Sequence, residues 1–379
     1  MNPDFEIKKL AKARKWQELI ELYTNHADDG YVSQWNMYWY ARALEATGSK
    51  EKALETAKQL QRINPKMQAN LKLLEYLEKG FAGGKLKTIK ELLKNGNYAA
   101  ALEIAEQTDI EQFGSEQKVL PGGQKIFSDR QMFVFYLHKA CYKASAYDKY
   151  RVIFDKYKNE NLGSLRKWTE YYYALSLAAT GETDEALHQL FWQRKKYKDW
   201  FYNIQIAHLL KESNPRAALF FAVEAALYPK QKWYAKGKIL MFVLEYLEKI
   251  NKNNALTLAE FIIALDRENN DAVTKKAELL SLRFGINIEA VASSKKYISQ
   301  VKKILHSLYG EKSVRGSVIR AGKNFGFVQY KEESLYFFNR DKKIYRSGEK
   351  VIFDIVWSYD FKKRKVVKNA VNVRIARRK

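Results

Sequence analysis

At Gly310 the spacing of apolar residues changes from helical to strand-like, and that change limits what this chain can fold into. Upstream, Tyr40, Ala43, Leu44 and Thr47 fall at i, i+3, i+4 and i+7, as do Val301, Ile304, Leu305 and Leu308. That spacing lines one face of a helix. Downstream, Val314, Gly316 and Val318, then Phe325, Phe327 and Gln329, alternate with a period of two among β-branched and aromatic residues. That is the pattern of half-buried strands. Gly310 itself is a suitable helix terminator. At 379 residues the chain exceeds one simple core. The expected fold class is therefore multidomain, α plus β, with an α-helical repeat domain over residues 1–309 and a small β domain over 313–376.

The helical region repeats itself. Tyr38 to Leu54 reads YWYARALEATGSKEKAL, and Tyr171 to Leu187 reads YYYALSLAATGETDEAL. In each, a helix ends at a Thr-Gly turn (Gly48, Gly181), and a small residue, Ala53 or Ala186, follows in the next helix. Pro65 is placed to close the second helix of the first copy. Weaker copies turn at Gly96, with Ala101 and Ala105, and at Asn214-Pro215, and another carries Ala255 and Ala259. Phe5 to His26, Arg130 to Asn159 and Asp271 to Tyr309 read as helix pairs with little of the pattern left, and Gly114 to Gln124 reads as a loop. This arrangement resembles the tetratricopeptide repeat, a helix-turn-helix of about 34 residues. The resemblance implies a solenoid of stacked helix pairs, whose concave surface would be lined by first helices carrying Tyr38, Trp39, Tyr171 and Tyr172.

The C-terminal segment carries more chemistry. Lys323-Asn324-Phe325-Gly326-Phe327-Val328 is followed by Leu335-Tyr336-Phe337-Phe338, then Gly348-Glu349-Lys350-Val351-Ile352-Phe353-Asp354-Ile355 and Ala370-Val371-Asn372-Val373. In order and spacing these resemble the landmarks of the cold-shock domain. The resemblance implies a five-stranded barrel of the oligonucleotide-binding (OB-fold) type that binds single-stranded RNA or DNA. Alternation places Phe325 and Phe327 on one face of a strand and Tyr336 and Phe338 on the same face of the next. Four rings there would stack bases, with Arg320 and Lys323 beside them for phosphates and Gly326 keeping the backbone accessible between the rings. Val351 and Phe353 are expected to fill the barrel. The sequence departs from the family at Ile319, Arg320 and Ala321, where a Trp-Phe pair is usual, and at Phe338, where a His is usual.

Charge agrees with a phosphate-bearing partner. The net charge is +24, and the segment from Glu311 onward, with 19 Lys and Arg against 7 Asp and Glu, holds half of it. The basic run Lys362, Lys363, Arg364 and Lys365 and the terminal Arg377-Arg378-Lys379 are expected to extend the phosphate track. No apolar run is long enough for a membrane span. The first residues lack the apolar core of a secretory signal, and the lone Cys141 forms no internal disulfide, so a cytoplasmic address is expected. His26, His138, His188, His208 and His306 have no metal-ligand spacing, and GFAGGK at Gly80–Lys85 lacks the Ser or Thr and the preceding strand of a phosphate loop. No metal, cofactor or catalytic residue is expected.

The reading that follows is a non-enzymatic adaptor. Its barrel holds single-stranded RNA or DNA, while the helical solenoid recruits a protein partner or a second copy of the chain. Two alternatives stay open. Solenoid and barrel together would form one extended RNA-binding surface, for which FWQRKKYKDWFY at 191–202 interleaves basic and aromatic residues. Or the chain is a pure protein-interaction scaffold with a degenerate barrel.

Overall fold

The computed structural model describes residues 3–26, 33–117, 119–123, 125–270, 273–340 and 342–376. Sixteen α-helices lie between Pro3 and Leu308 among these residues, and five strands follow between Glu311 and Ile375. Helix gives way to strand at Gly310, as the periodicity requires. Gln124, Asp271 and the basic tail Arg377-Arg378-Lys379 lie outside the described residues. Among the described residues no helix is long and apolar enough to cross a membrane. The chain divides into two compact units, Met1–Tyr173 and Ala174–Lys379, and the division falls within α9 (Arg166–Ala179). The helix-to-strand boundary is thus not the boundary between compact units. Helices from α10 onward share a unit with the barrel.

The first unit runs through α1 (Pro3–Lys12), α2 (Trp16–His26), α3 (Gln34–Ala46), α4 (Lys50–Ile63), α5 (Gln68–Lys94), α6 (Tyr98–Glu106), α7 (Asp129–Lys143) and α8 (Tyr147–Tyr157). Each helix packs on the next, and α1, α3, α5 and α7 also pack on one another in succession. Helix pairs therefore stack on their first helices.

The turns inside the pairs share one design. Arg14, Gly48, Gly96 and Ser145 all have positive φ, and the next N–H donates to a carbonyl five residues back: Lys15 to Leu10, Ser49 to Leu44, Asn97 to Leu92 and Ala146 to Cys141. This is a helix-ending bond that needs a left-handed residue. The residue five places on, Leu19, Ala53, Ala101 or Tyr150, is fully buried. In α9–α10, Gly181, the Glu182 bond to Leu177 and buried Ala186 repeat the pattern. Gly80 to Lys85 lies inside α5, not in a loop.

Aromatic residues of the first helices mostly pack. Tyr171 is buried, and Tyr172 stacks on Tyr142 at 4.9 Å. Tyr38 and Trp39 are half-buried with their rings in edge contact at 5.1 Å. Tyr171 is therefore a packing residue rather than a groove anchor.

His138 of α7 is buried against Tyr150 and Phe154, and its Nδ1 has no hydrogen-bond partner among the described residues. Burial pushes its pKa down from 6.5 to about 3, and the Arg166 charge adds to the effect. A histidine neutral in the fold takes up a proton on unfolding, so stability is lost as pH falls from 6.5 towards 3. At pH 5 this one group is expected to cost about 2 kcal/mol. Urea unfolding at pH 7 and pH 5 reads the difference, and His138→Leu is expected to shrink it.

The second unit continues with α10 (Thr183–Tyr197), α11 (Trp200–Leu210), α12 (Pro215–Ala226), α13 (Gly237–Ile250), α14 (Lys252–Asn269), α15 (Lys275–Phe284) and α16 (Ser294–Leu308). Asn214 caps α12 by accepting from Ala217 N–H at 3.1 Å, with Pro215 in the first turn. The last helix breaks the simple succession, because α16 packs on both α14 and α12.

The strands are β1 (Glu311–Ala321), β2 (Phe325–Tyr330), β3 (Glu333–Phe338), β4 (Lys350–Asp360) and β5 (Lys365–Ile375). They close into a mixed barrel in the order β1-β2-β3-β5-β4, with β3 and β5 parallel and the other pairs antiparallel. Its core holds Val318, Val328, Leu335, Phe337, Val351, Phe353 and Ile355. Val351 and Phe353 fill the barrel, as alternation implies.

Two glycines admit this packing. A Cβ on Gly326 would lie 2.5 Å from the Phe337 ring, and one on Gly316 would lie 2.2 Å from the Gln329 carbonyl oxygen and 2.9 Å from Phe353. Gly326 therefore faces inward and makes room for Phe337. It does not keep the outer backbone open between the rings. Gly316→Ala presses on backbone that the β1–β2 pairing holds in place, and is expected to destabilise the barrel by about 3 kcal/mol or more. A fall in the thermal midpoint of the full chain measures it.

Candidate nucleic-acid interface

The pairing of β2 with β3 sets the site. Phe325 lies opposite Phe338, Phe327 opposite Tyr336, and the inward residues Gly326 and Val328 oppose Phe337 and Leu335. A period of two then leaves four rings on the outer face. Phe325 is 48% exposed, Tyr336 37% and Phe338 64%, while Phe327 is half-buried. Phe325 and Tyr336 lie nearly parallel at 6.0 Å, and Phe327 meets each of them edge-on, at 6.2 and 5.8 Å. Exposed rings cost apolar surface in water, and none of these four belongs to the barrel core.

The first strand supplies a cation beside these rings. A bulge between Val318 and Arg320 leaves Ile319 and Arg320 both exposed. Arg320 pairs with Phe327 across the strands, and its guanidinium lies 4.9 Å from that ring's centroid. A guanidinium in this position makes a cation–π contact with the ring. Lys323 is exposed in the β1–β2 turn.

A second group of cations sits at this end of the barrel, and the sequence reading did not single it out. Asn339, 5% exposed, anchors the loop after β3: its N–H donates to Asn324 O at 2.8 Å, its Nδ2 to Lys343 O at 2.8 Å and to Gly322 O at 3.3 Å, and its Oδ1 accepts from Lys343 N–H. The β1–β2 turn and the β3–β4 loop are thereby tied side by side. Arg340, Lys342, Lys343 and Arg346 are all exposed on that loop, which follows Phe338 in the chain.

The basic run of the β4–β5 loop has other engagements. Asp360 accepts from Lys363 and Lys362 N–H at 3.1 and 3.0 Å, and these two bonds hold its carboxyl below the usual carboxylate range. Arg364 is ion-paired with Glu185 of α10, and that hydrogen bond raises its pKa further. Tyr359 is buried and stacks on Phe191 of α10 at 4.4 Å, and Phe361 meets Tyr359 edge-on at 5.1 Å. Burial raises the Tyr359 hydroxyl. Lys362, Lys363 and Lys365 remain exposed. Thus Arg320, Lys323, Phe325, Phe327, Tyr336 and Phe338 come together at one end of β2–β3, while Lys362 to Lys365 form a separate patch against α10.

Among the described residues no three His, Cys, Asp or Glu side chains are grouped as a metal site. The sequence matches no family model, and a search of the curated proteins finds no match.

Proposed function

We propose that this chain is a non-enzymatic adaptor whose C-terminal barrel binds single-stranded RNA or DNA, and whose helical repeats recruit a protein partner or a second copy of the chain. One observation carries the proposal: four outward rings, Phe325, Phe327, Tyr336 and Phe338, lie in register on β2 and β3 with Arg320 over Phe327 and Lys323 exposed in the adjoining turn. Stacked bases gain from such rings whatever their identity, and phosphates gain from the cations. The strand order with parallel β3 and β5 is consistent with a cold-shock-like barrel of the oligonucleotide-binding type, in which the β2–β3 face and adjoining loops take the ligand. The cold-shock resemblance favours RNA, as does the cytoplasmic address expected from the sequence. Stacking of first helices on first helices favours the tetratricopeptide-like reading of the N-terminal part.

A second reading has its own support. Tyr359, Phe361 and Arg364 bind the barrel to α10. Helices and barrel of the second unit would then offer one continuous RNA-binding surface.

The test is an anisotropy titration of a labelled single strand of mixed sequence with the full chain, with single strand or duplex as competitor. Competition by single strand but not by duplex supports the proposal. Absence of binding at low salt removes it and leaves the protein-interaction scaffold.

A further inference from the structure

The basic-aromatic stretch at 191–202 builds one wall of a cavity that the platform does not use. The cavity, of about 470 Å³, lies within the second unit between α10, α11, α12 and the end of β4, and is of the size that takes a small ligand. Besides the carboxylates of Asp199 and Glu224 and the hydroxyls of Ser358 and Tyr359, three kinds of side chain line it. Phe191, Trp200, Tyr228 and Phe361 give aromatic walls. Lys195 and Lys198 are exposed at the same cavity, whereas Arg194 is neutralised by Glu224 at 2.6 Å. Lys198 ends α10 in a left-handed conformation, which turns the chain sharply towards Trp200. The third is Asn203 of α11. It is only 6% exposed, and its Oδ1 is buried with no hydrogen-bond partner among the described residues. A buried acceptor left empty is unfavourable and needs a donor from somewhere.

No simple ligand satisfies all three. A phosphate alone would use the lysines but not the rings. An apolar molecule would fill the walls and leave Asn203 unpaired. We propose that the cavity binds a single nucleotide, with its base among the rings, an N–H of the base donated to Asn203 Oδ1, and its phosphate facing Lys195 and Lys198. An amide is well suited to reading a base edge, and rings and lysines suit the rest. This rests on the strand-binding function proposed above and deepens it: the nucleotide is one further along the strand held by the barrel, or a free nucleotide of the same chemistry.

The experiment is ultraviolet crosslinking of the full chain to a labelled single strand of mixed sequence, with crosslinked peptides identified by mass spectrometry, beside calorimetric titration with AMP, CMP, GMP and UMP. Crosslinks are expected at Trp200 or Phe361 as well as on β2–β3. Asn203→Leu should abolish the former, weaken strand binding about tenfold and raise the melting temperature, because the empty acceptor is gone. A merely structural asparagine would lower it. Lys195→Ala with Lys198→Ala, both at exposed positions, should lose the same crosslinks should Asn203→Leu fail to fold. Crosslinks confined to β2–β3, with both variants binding like the parent, overturn the cavity site and leave the barrel proposal standing. Monophosphate binding that Asn203→Leu abolishes, with no strand binding, upholds the cavity for free nucleotides and removes the barrel proposal. No binding of either removes both.

Discussion

Replacing Phe325 and Phe327 together by alanine is expected to weaken single-strand binding by about 2–4 kcal/mol while leaving its salt dependence unchanged, as loss of two stacked bases requires. The barrel should remain folded, because Phe325 is 48% exposed and neither ring belongs to the core formed by Val328, Phe337 and Phe353. Equal thermal midpoints for parent and variant, with an affinity loss at every salt concentration, is the expected pair of results. A variant that binds like the parent would assign the exposed rings to another partner.

The second large effect belongs to charge. Changing Arg340, Lys342, Lys343 and Arg346 to alanine removes four exposed cations from the β3–β4 loop. For a single strand each lost phosphate contact flattens the plot of log affinity against log salt by about 0.7, so a change approaching 3 is expected if all four meet phosphates. The same change at Lys362, Lys363, Arg364 and Lys365 should flatten it less, since Arg364 is already paired with Glu185. That second variant should also loosen the β4–β5 loop from α10. Titrations over a series of salt concentrations separate the two sets. A larger slope change from the β4–β5 set would move the phosphate track to the α10 side of the barrel.

The arrangement of the four rings was legible because alternation is local: a period of two decides which face each side chain takes, and Phe325, Phe327, Tyr336 and Phe338 obey it. Loops carry no such period. The β3–β4 loop is tied to the β1–β2 turn by one buried asparagine, Asn339, whose bonds to Gly322 and Lys343 no spacing rule announces. Gly326 was misread for a related reason. The pattern shows that a side chain is missing there, and only the fold shows that the Phe337 ring occupies the space.

The helix pairs were legible where glycine marks the turn, at Gly48, Gly96 and Gly181. They were weak where Arg14 and Ser145 adopt the same left-handed backbone without it, at a cost of roughly 1 kcal/mol each. Contacts far apart in sequence were not legible at all. Nothing near Tyr359 or Arg364 shows that they meet Phe191 and Glu185. The two compact units divide within α9, and no local pattern in the sequence marks that point.

The most direct measurement of where a strand lies is hydrogen–deuterium exchange of the full chain with and without a saturating single-stranded oligonucleotide. Binding on the barrel face should slow exchange in residues 320–346, spanning the end of β1, the β2–β3 pair and the loop after β3. Protection confined to the helices between Pro3 and Leu308, with 320–346 unchanged, would contradict the assignment of the barrel as the nucleic-acid site.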